Sequence, residues 1–140
     1  MVKSSFVLDC GITIAWCFED EFDEYSELVL KSMEQCEAIV PSLWVLEVSN
    51  ALLMTEKPNR LRPADSIRFL ELLDSLPIYV SDLTFPFAEI INIARSYNLT
   101  SYDAVYLLLA MHKGISVATK DAALVKACIQ NGVPIFAKEI

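Results

Sequence analysis

The stretch from Thr100 to Asp121, TSYDAVYLLLAMHKGISVATKD, constrains the fold of this chain more than any other segment. Its run AVYLLLAM is too apolar for a helix on a protein surface, so we predict a helix that is buried on most sides. Thr100 can cap the start of this helix, and Gly114 can end it. Residues 115–118 are typical of a short buried strand. A buried helix followed by a buried strand indicates an α/β protein.

The rest of the chain repeats this alternation of short apolar segments with segments of helical character. Right-handed crossovers between such strands favour a parallel sheet with helices on both faces. The predicted fold class is therefore α/β, a three-layer α/β/α arrangement with a mainly five-stranded parallel sheet. The strands are predicted at residues 6–8, 38–40, 78–80 and 115–118, and at the sheet edge at 135–136.

Several local features of the helices can also be predicted. Gly11 allows a tight turn between the first strand and the apolar segment 12–18, and the six acids of residues 19–27 indicate a solvated loop and a helix start. Pro63 suits the first turn of a helix over residues 64–76. The helix that begins in the acidic block is expected to bury one face, formed by Tyr25, Leu28, Val29, Met33 and Cys36. A helix over residues 84–97 is expected to bury Ile90, Ile91, Ile93 and Ala94.

Size and composition limit the class of protein. A chain of 140 residues is expected to form one domain. No uncharged run of about 18 residues is present and the N-terminus does not resemble a signal peptide, so we expect neither a membrane span nor secretion. The four cysteines lie in apolar runs without a C-x-x-C pair, which predicts reduced core cysteines in a cytoplasmic protein. The net charge of −8 argues against nucleic-acid binding through bulk charge.

Four acidic residues lie where a parallel sheet would bring them to one edge. Asp9 ends the first predicted strand, Asp121 follows the fourth, Asp103 lies near the start of the apolar helix, and Glu47 lies among aliphatic residues of an earlier helix. Ligands bind at the carboxyl ends of parallel strands, so these acids are candidate site residues.

Each of the four acids also has a structural alternative. Asp103 could complete a capping box with Thr100, Asp121 could stabilise the last helix, Asp9 could accept backbone hydrogen bonds, and Glu47 could be half exposed.

Together the four carboxylates would repel one another unless a cation compensated their charge. Because the candidate ligands are all oxygens, Mg²⁺ or Mn²⁺ is favoured over zinc. The single histidine, His112, is expected to be a helix-end residue rather than a base.

The phrases VLDCGITIAW, VPSLWVLEVSNAL, TSYDAVYLLLA and ATKDAAL, in this order, resemble the four motifs of PIN-domain nucleases. The subgroup that the chain most resembles is the VapC-like toxins of toxin–antitoxin modules. The resemblance implies one PIN-like domain over residues 1–140, with Asp9, Glu47, Asp103 and Asp121 as a catalytic, metal-binding quartet. It also implies supporting roles for Thr119 and Asn50, structured RNA as substrate, a homodimer, and an antitoxin partner that blocks the site.

Two features of the sequence modify this expectation. The family often has a small hydroxyl residue where this chain has Gly11, so metal affinity could be weaker. Four of the eleven basic residues lie in the segment 56–68. Of these, Lys57, Arg60 and Arg62 are candidate contacts to the phosphate backbone, although they could also be ordinary solvated charges.

We infer a metal-dependent endoribonuclease, and two alternatives remain open. Phosphoryl transfer through an aspartyl phosphate also uses Mg²⁺ on an α/β sheet. It calls for a second acid close to Asp9, however, and the residues that follow are Cys10 and Gly11. A catalytically weak or inactive PIN-fold module, which binds RNA or protein without cleaving it, is the second alternative. Gly11 and the negative net charge favour that module.

Overall fold

A computed structural model describes residues 3–18, 20–58 and 60–138 of the chain. In the described part, four strands alternate with seven helices. The elements are β1 (Ser4–Leu8), α1 (Cys10–Ala15), α2 (Glu24–Ser32), β2 (Cys36–Val40), α3 (Leu43–Glu56), α4 (Pro63–Ser75), β3 (Ile78–Val80), α5 (Phe87–Tyr97), α6 (Ser101–Lys113), β4 (Ser116–Ala118) and α7 (Ala122–Gln130). Among these helices none has the length and apolar character that a membrane crossing requires.

The sheet is parallel throughout, and its strand order is β3-β2-β1-β4. β1 therefore lies in the interior of the sheet, and its residues Phe6, Val7 and Leu8 are all inaccessible to solvent. Burial on both faces explains why this strand is continuously apolar. The α/β class and the parallel sheet are confirmed.

The predicted fifth strand is not formed in the described residues. Ile135 makes only an isolated parallel bridge with Val117. The physical reason lies in the neighbouring residues, since Pro134 has no backbone N–H to donate and Ala137 has a φ of 60°. Neither residue can continue a strand, so the described sheet has four strands.

The apolar helix α6 is buried as predicted. It begins after Thr100, ends at Gly114 in the left-handed conformation, and buries Ala104 and residues 106–110. The earlier helix predicted around Glu47 is confirmed as α3, and Pro63 is the first residue of α4.

Two local predictions were wrong, and a third cannot be compared with the structure. Gly11 lies inside α1 rather than in a turn, and α1 ends at Ala15. In α2 the expected apolar face is shorter, because Leu28 is 47% exposed and Cys36 belongs to β2. Glu19, in the predicted acidic loop, lies outside the described residues.

The helix predicted at residues 84–97 is also shorter and less buried than expected. α5 begins only after Pro86, packs mainly against α6, and contains no fully buried residue. Ile91, which was expected to face inward, is 43% exposed. Because α5 packs mainly against the single helix α6, its side chains are at most partly buried.

Candidate active site

Asp9 directly follows the central strand β1 and is the N-cap residue of α1. Its Oδ1 accepts a hydrogen bond of 2.9 Å from the backbone N–H of Ile12, and its Oδ2 accepts one from the hydroxyl of Thr119. Burial raises the pKa of Asp9 to about 6, against the effect of these two bonds, and the charges of Asp103 and Asp121 raise it further. The first acid of the predicted quartet is therefore fixed, buried and costly to ionise.

Thr119 lies between two of the candidate acids. Its side chain is fully buried, donates to Asp9 and accepts a hydrogen bond of 3.0 Å from the backbone N–H of Asp121. Asp121 is itself the N-cap residue of α7, and its Oδ1 accepts a bond of 2.9 Å from the N–H of Leu124. The capping role considered for Asp121 is thus present, and it uses only one of the two carboxylate oxygens.

Glu47 is held by a residue that the sequence reasoning missed. The hydroxyl of Tyr106 donates a hydrogen bond of 2.6 Å to Oε1 of Glu47. Tyr106 is 2% exposed, and burial together with the hydrogen bond and charge of Glu47 raises the pKa of this phenol well above its usual value. The phenol therefore keeps its proton and acts as a donor. The spacing places Tyr106 one helical turn after Asp103, on the same side of α6, but it does not indicate the contact with Glu47.

Asp103 is the least constrained of the four acids. Its backbone N–H donates a bond of 3.1 Å to Thr100 Oγ1, but within the described residues its carboxylate makes no reciprocal bond, so the capping box is only half formed. Burial raises the pKa of Asp103 to about 6, and the charges of Asp121 and then Glu47 add to the rise. Since the charges of Asp103 and Asp121 also raise the pKa of Asp9, Asp9 and Asp103 both lie within electrostatic reach of other candidate acids.

A second buried relay connects α3 to the end of β1. The indole N–H of Trp44 donates a hydrogen bond of 2.9 Å to Oγ1 of Thr13, and this hydroxyl donates one of 2.9 Å to the backbone carbonyl of Asp9. Because Trp44 and Glu47 lie one turn apart on α3, the relay also positions Glu47 relative to Asp9. A hydroxyl residue inside an apolar segment, four residues after Asp9, was the signal for Thr13.

We call Asp9, Glu47, Asp103 and Asp121 together the acidic edge, and their donor chemistry fits a hard cation. The four candidate side chains supply only carboxylate oxygens. Burial raises the pKa of Asp9 and Asp103, repulsion from the other acids adds to the rise, and a cation would relieve that repulsion. The spacing is looser than that of a closed metal site. Among the residues that the structure describes, no three His, Cys, Asp or Glu side chains are grouped closely enough to hold one ion. The four carboxylates therefore share a neighbourhood without forming a coordination shell.

His112 lies in the last turn of α6, in agreement with the helix-end position expected for it. Its Nε2 lies 2.8 Å from Oε1 of Glu89, and both side chains are partly exposed. This pair links α6 to α5 on the protein surface and is not part of the acidic edge.

Asn50 shares a cleft with Glu47. The cleft has a volume of about 440 Å³ and is lined by Cys10, Leu43, Leu46, Glu47, Asn50, Ala51 and Tyr102. Burial raises the pKa of the Cys10 thiol to about 12, and the charges of Glu47 and Asp9 contribute to this rise. The thiol is therefore neutral and does not add a thiolate to the site.

The predicted substrate-binding residues lie at the end of α3, at the start of α4 and between these helices. Lys57 follows the last residue of α3, which places it about 15 Å from Glu47 along the helix axis. Arg62, at the start of α4, uses its guanidinium on Asp65, with Nε 3.2 Å from Oδ2. Arg60 is exposed between these two helices. A contact of Lys57 with RNA would therefore lie about three helical turns from Glu47, and the role of all three residues stays a prediction.

Comparison with known proteins identifies the fold and the family of this chain. No curated protein matches the chain significantly by sequence. Among solved structures, the crystal structure of PAE2754 from Pyrobaculum aerophilum is similar, with a TM-score of 0.70 and 22% sequence identity. The match covers 89% of this chain and 84% of that one, and at this identity it shows a shared fold. The sequence profile of the PIN domain matches residues 6–129, which span all four candidate acids. The chain belongs to the PIN domain family.

Proposed function

We propose that this chain is a metal-dependent endoribonuclease, which hydrolyses RNA phosphodiester bonds with Mg²⁺ or Mn²⁺ as cofactor. PIN domains are usually metal-dependent nucleases, and this chain is a member of the family. The observation that carries the proposal is the buried carboxyl end of β1, where Asp9 accepts hydrogen bonds from Ile12 and Thr119 and where Asp121, after β4, donates its backbone N–H to the same Thr119. Burial raises the pKa of Asp9 and Asp103 to about 6, and the charges of other candidate acids raise it further.

The side chains of this edge can divide the work of hydrolysis. When bound, Mg²⁺ or Mn²⁺ supplies positive charge against the phosphate and lowers the pKa of a water molecule. Asp9 and Glu47 present carboxylate oxygens in positions fixed by Thr119 and Tyr106. Asp103, whose carboxylate makes no hydrogen bond within the described residues, is the carboxylate most free to accept the proton of the attacking water. The water oxygen bonds to phosphorus as the bond to the 3′ oxygen breaks, without a covalent bond to the protein.

The biological role that we propose is the toxin of a toxin–antitoxin system, acting in the cytoplasm as a single-domain protein that forms a homodimer. The resemblance of the four sequence phrases to VapC-like toxins supports the toxin role, and the free state of all four cysteines is consistent with a reducing compartment. Exposed apolar side chains on α3, α4 and β3 offer surface for an antitoxin or for a second copy. They include Val45, Leu53, Met54, Ile67, Leu70 and Val80.

The direct test is cleavage of a mixed RNA pool by the purified protein with Mg²⁺, with Mn²⁺ and with excess EDTA. We expect cleavage with either ion and none under full chelation. A parallel preparation of the Asp9→Asn protein controls for contaminating nuclease. Cleavage that persists in EDTA and is absent from the Asp9→Asn preparation would exclude the metal-dependent mechanism.

A thermal melt tests the metal without any substrate. Mn²⁺ at a hundredfold excess over its Kd should stabilise the wild-type fold by about 2.7 kcal/mol. In Asp103→Asn the metal response should shrink, while the metal-free variant should melt no lower than wild type because a repelled charge is removed. The exposed Asp82 provides a matched control as Asp82→Asn. If Asp103 were only a helix-start residue, Asp103→Asn would melt lower without metal and keep the full metal response.

One observation favours the non-cleaving PIN-fold module as a second candidate. The described residues do not form a group of three ligating side chains, so the acids could serve recognition rather than chemistry. The module predicts RNA or protein binding with no cleavage under any metal condition. The EDTA experiment separates this module from the nuclease.

A further inference from the structure

The cleft beside Glu47 contains exposed apolar side chains that are not part of the hydrophobic core. Tyr102 is 60% exposed and Leu46 is 73% exposed, although both line the cleft. Tyr102 directly precedes Asp103 on α6, and Leu46 directly precedes Glu47 on α3. An exposed aromatic ring and an exposed aliphatic side chain therefore each lie next to a candidate site carboxylate. An aromatic ring that the core leaves out is available for contact with a ligand.

The charges of the cleft indicate which part of an RNA it could hold. Its lining includes the carboxylate of Glu47 and contains no lysine or arginine. A phosphate group would be repelled there, whereas an uncharged planar group would not be. The side-chain amide of Asn50 can both donate and accept hydrogen bonds, as the edges of nucleobases do. The volume of about 440 Å³ lies within the usual range of small-ligand pockets, roughly 300–1,000 Å³.

We propose, on the basis of the nuclease function above, that this cleft is a subsite for one unpaired nucleobase of the RNA. The base stacks on the ring of Tyr102, and Asn50 contacts its edge. The base must be unpaired, because in a duplex its faces are covered by neighbouring bases and its edge by the partner base. Stacking on an aromatic ring tolerates any base, so Tyr102 contributes affinity and Asn50 contributes preference among bases.

The subsite also determines where the RNA is cut. Because Glu47 belongs both to the wall of the cleft and to the acidic edge, a base in the cleft places an adjacent phosphate beside the carboxylates. Cleavage is then expected next to an unpaired nucleotide, and a fully paired RNA of the same sequence is expected to bind more weakly.

The test measures whether the ring of Tyr102 and one base of the RNA depend on each other in binding. Fluorescence anisotropy, in EDTA and low salt, would measure the Kd of a labelled single-stranded oligoribonucleotide and of a series in which one nucleotide at a time lacks its base. The proteins are wild type, Tyr102→Ala, Tyr102→Phe and, as a matched control, Tyr79→Ala. Tyr79 is 53% exposed on β3 and does not line the cleft. All of these changes are at exposed positions, so the variants should fold.

We expect Tyr102→Ala to weaken binding of the intact oligonucleotide by roughly 5- to 150-fold, with Tyr102→Phe and Tyr79→Ala close to wild type. At one position of the series, loss of the base should weaken wild-type binding by a similar factor and leave Tyr102→Ala unaffected. A lack of such coupling at every position would overturn the proposal, and so would a wild-type protein that binds no single-stranded RNA. Those results would instead favour a protein partner for Tyr102.

The assay contains no cleavage step, so it is independent of the proposed nuclease activity. Coupling without metal-dependent cleavage would overturn the nuclease function and leave the base subsite standing. Cleavage without coupling would overturn the subsite alone.

Discussion

The acidic edge of the sheet and the corner between α3 and α4 use the same residue type in opposite ways. At the corner, Asp65 lies between Arg62 and Arg68, and hydrogen bonds from these guanidinium groups lower its pKa to about 2. At the edge, burial raises the pKa of Asp9 to about 6. None of the ion pairs found among the described residues involves an acid of the edge. The chain supplies its own cations at the corner, whereas at the edge the carboxylate charge remains uncompensated by side chains.

The contacts of Asp65 also show how part of the basic segment 56–68 is used. In the sequence, the clustered charges of residues 56–68 suggest a surface for RNA phosphates. In the structure, Arg62 and Arg68 both contact Asp65, so part of that positive charge is neutralised within the protein. Lys57 and Arg60 remain the stronger candidates for phosphate contacts, and that role stays a prediction.

The largest expected difference between the two regions is in catalysis. Asp9→Asn should lower the rate of metal-dependent RNA cleavage by at least about a hundredfold, because it removes a charge that the cation needs. Asp65→Asn should leave the rate within about threefold of wild type, because it only releases two exposed arginines. Cleavage rates under identical Mn²⁺ conditions would check both. Equal losses in the two variants would show that the acidic edge has no special role.

The sequence could predict those features of the fold and the site that a local pattern encodes. The strands, the buried helix α6 and the positions of Asp9 and Asp121 after their strands follow from apolar periodicity and cap residues. The contact of Tyr106 with Glu47 joins residues 59 positions apart, so no local pattern encodes it. The pair of Arg62 with Asp65 is different, because residues three apart at a helix start are neighbours and the spacing alone could have predicted the contact. The residue type of Gly11 predicts a turn, although the cap at Asp9 starts the helix before it.

A second difference should appear in the pH dependence of stability. The pKa of Asp9 is raised from 3.8 to about 6, so between these values the folded state binds its proton more tightly than the unfolded state does. The free energy of unfolding should therefore fall as the pH rises through this window, by roughly 2–3 kcal/mol from Asp9. Asp65 has the opposite sign, since its lowered pKa contributes stability that is lost only as the pH falls below 3.8 toward about 2.

Urea unfolding in EDTA between pH 4.5 and 7.5 would measure this slope. In Asp9→Asn the slope should become shallower, with a remainder from Asp103, whose pKa is also raised. A wild-type stability that is constant over this range, or that increases with pH, would contradict the cost assigned to ionising Asp9.

A third change tests whether the edge depends on fixed positions as well as on charge. Tyr106→Phe removes only the hydroxyl that donates to Glu47 and keeps the buried ring. Loss of such an outer partner should weaken Mn²⁺ binding by about tenfold, and the lost hydrogen bond should cost about 1 kcal/mol of stability. Calorimetric titration with Mn²⁺ and a metal-free melt measure the two effects separately. A purely structural role for Tyr106 predicts the stability loss with unchanged Mn²⁺ affinity.

The smallest expected effect concerns Gly11, which lies in the first turn of α1 beside Asp9. A Cβ at this position would lie 3.6 Å from Oδ1 of Asp9, an ordinary van der Waals distance, so a larger residue fits. Gly11→Ala should stabilise the fold by about 0.5 kcal/mol, because glycine is a poor helix former.

Gly11→Ser separates this helix effect from an effect on the acidic edge. Serine adds the same Cβ and also a hydroxyl that can reach the carboxylate of Asp9, which has the raised pKa that marks the edge. A hydrogen bond to the ionised form lowers a pKa, so the serine variant should bind Mn²⁺ more tightly than the alanine variant, by up to about tenfold. At the corner no such gain is available, because Asp65 already has two arginine partners. Equal Mn²⁺ affinities for the alanine and serine variants would show that Asp9 gains nothing from a further donor and that Thr119 and Ile12 already satisfy it.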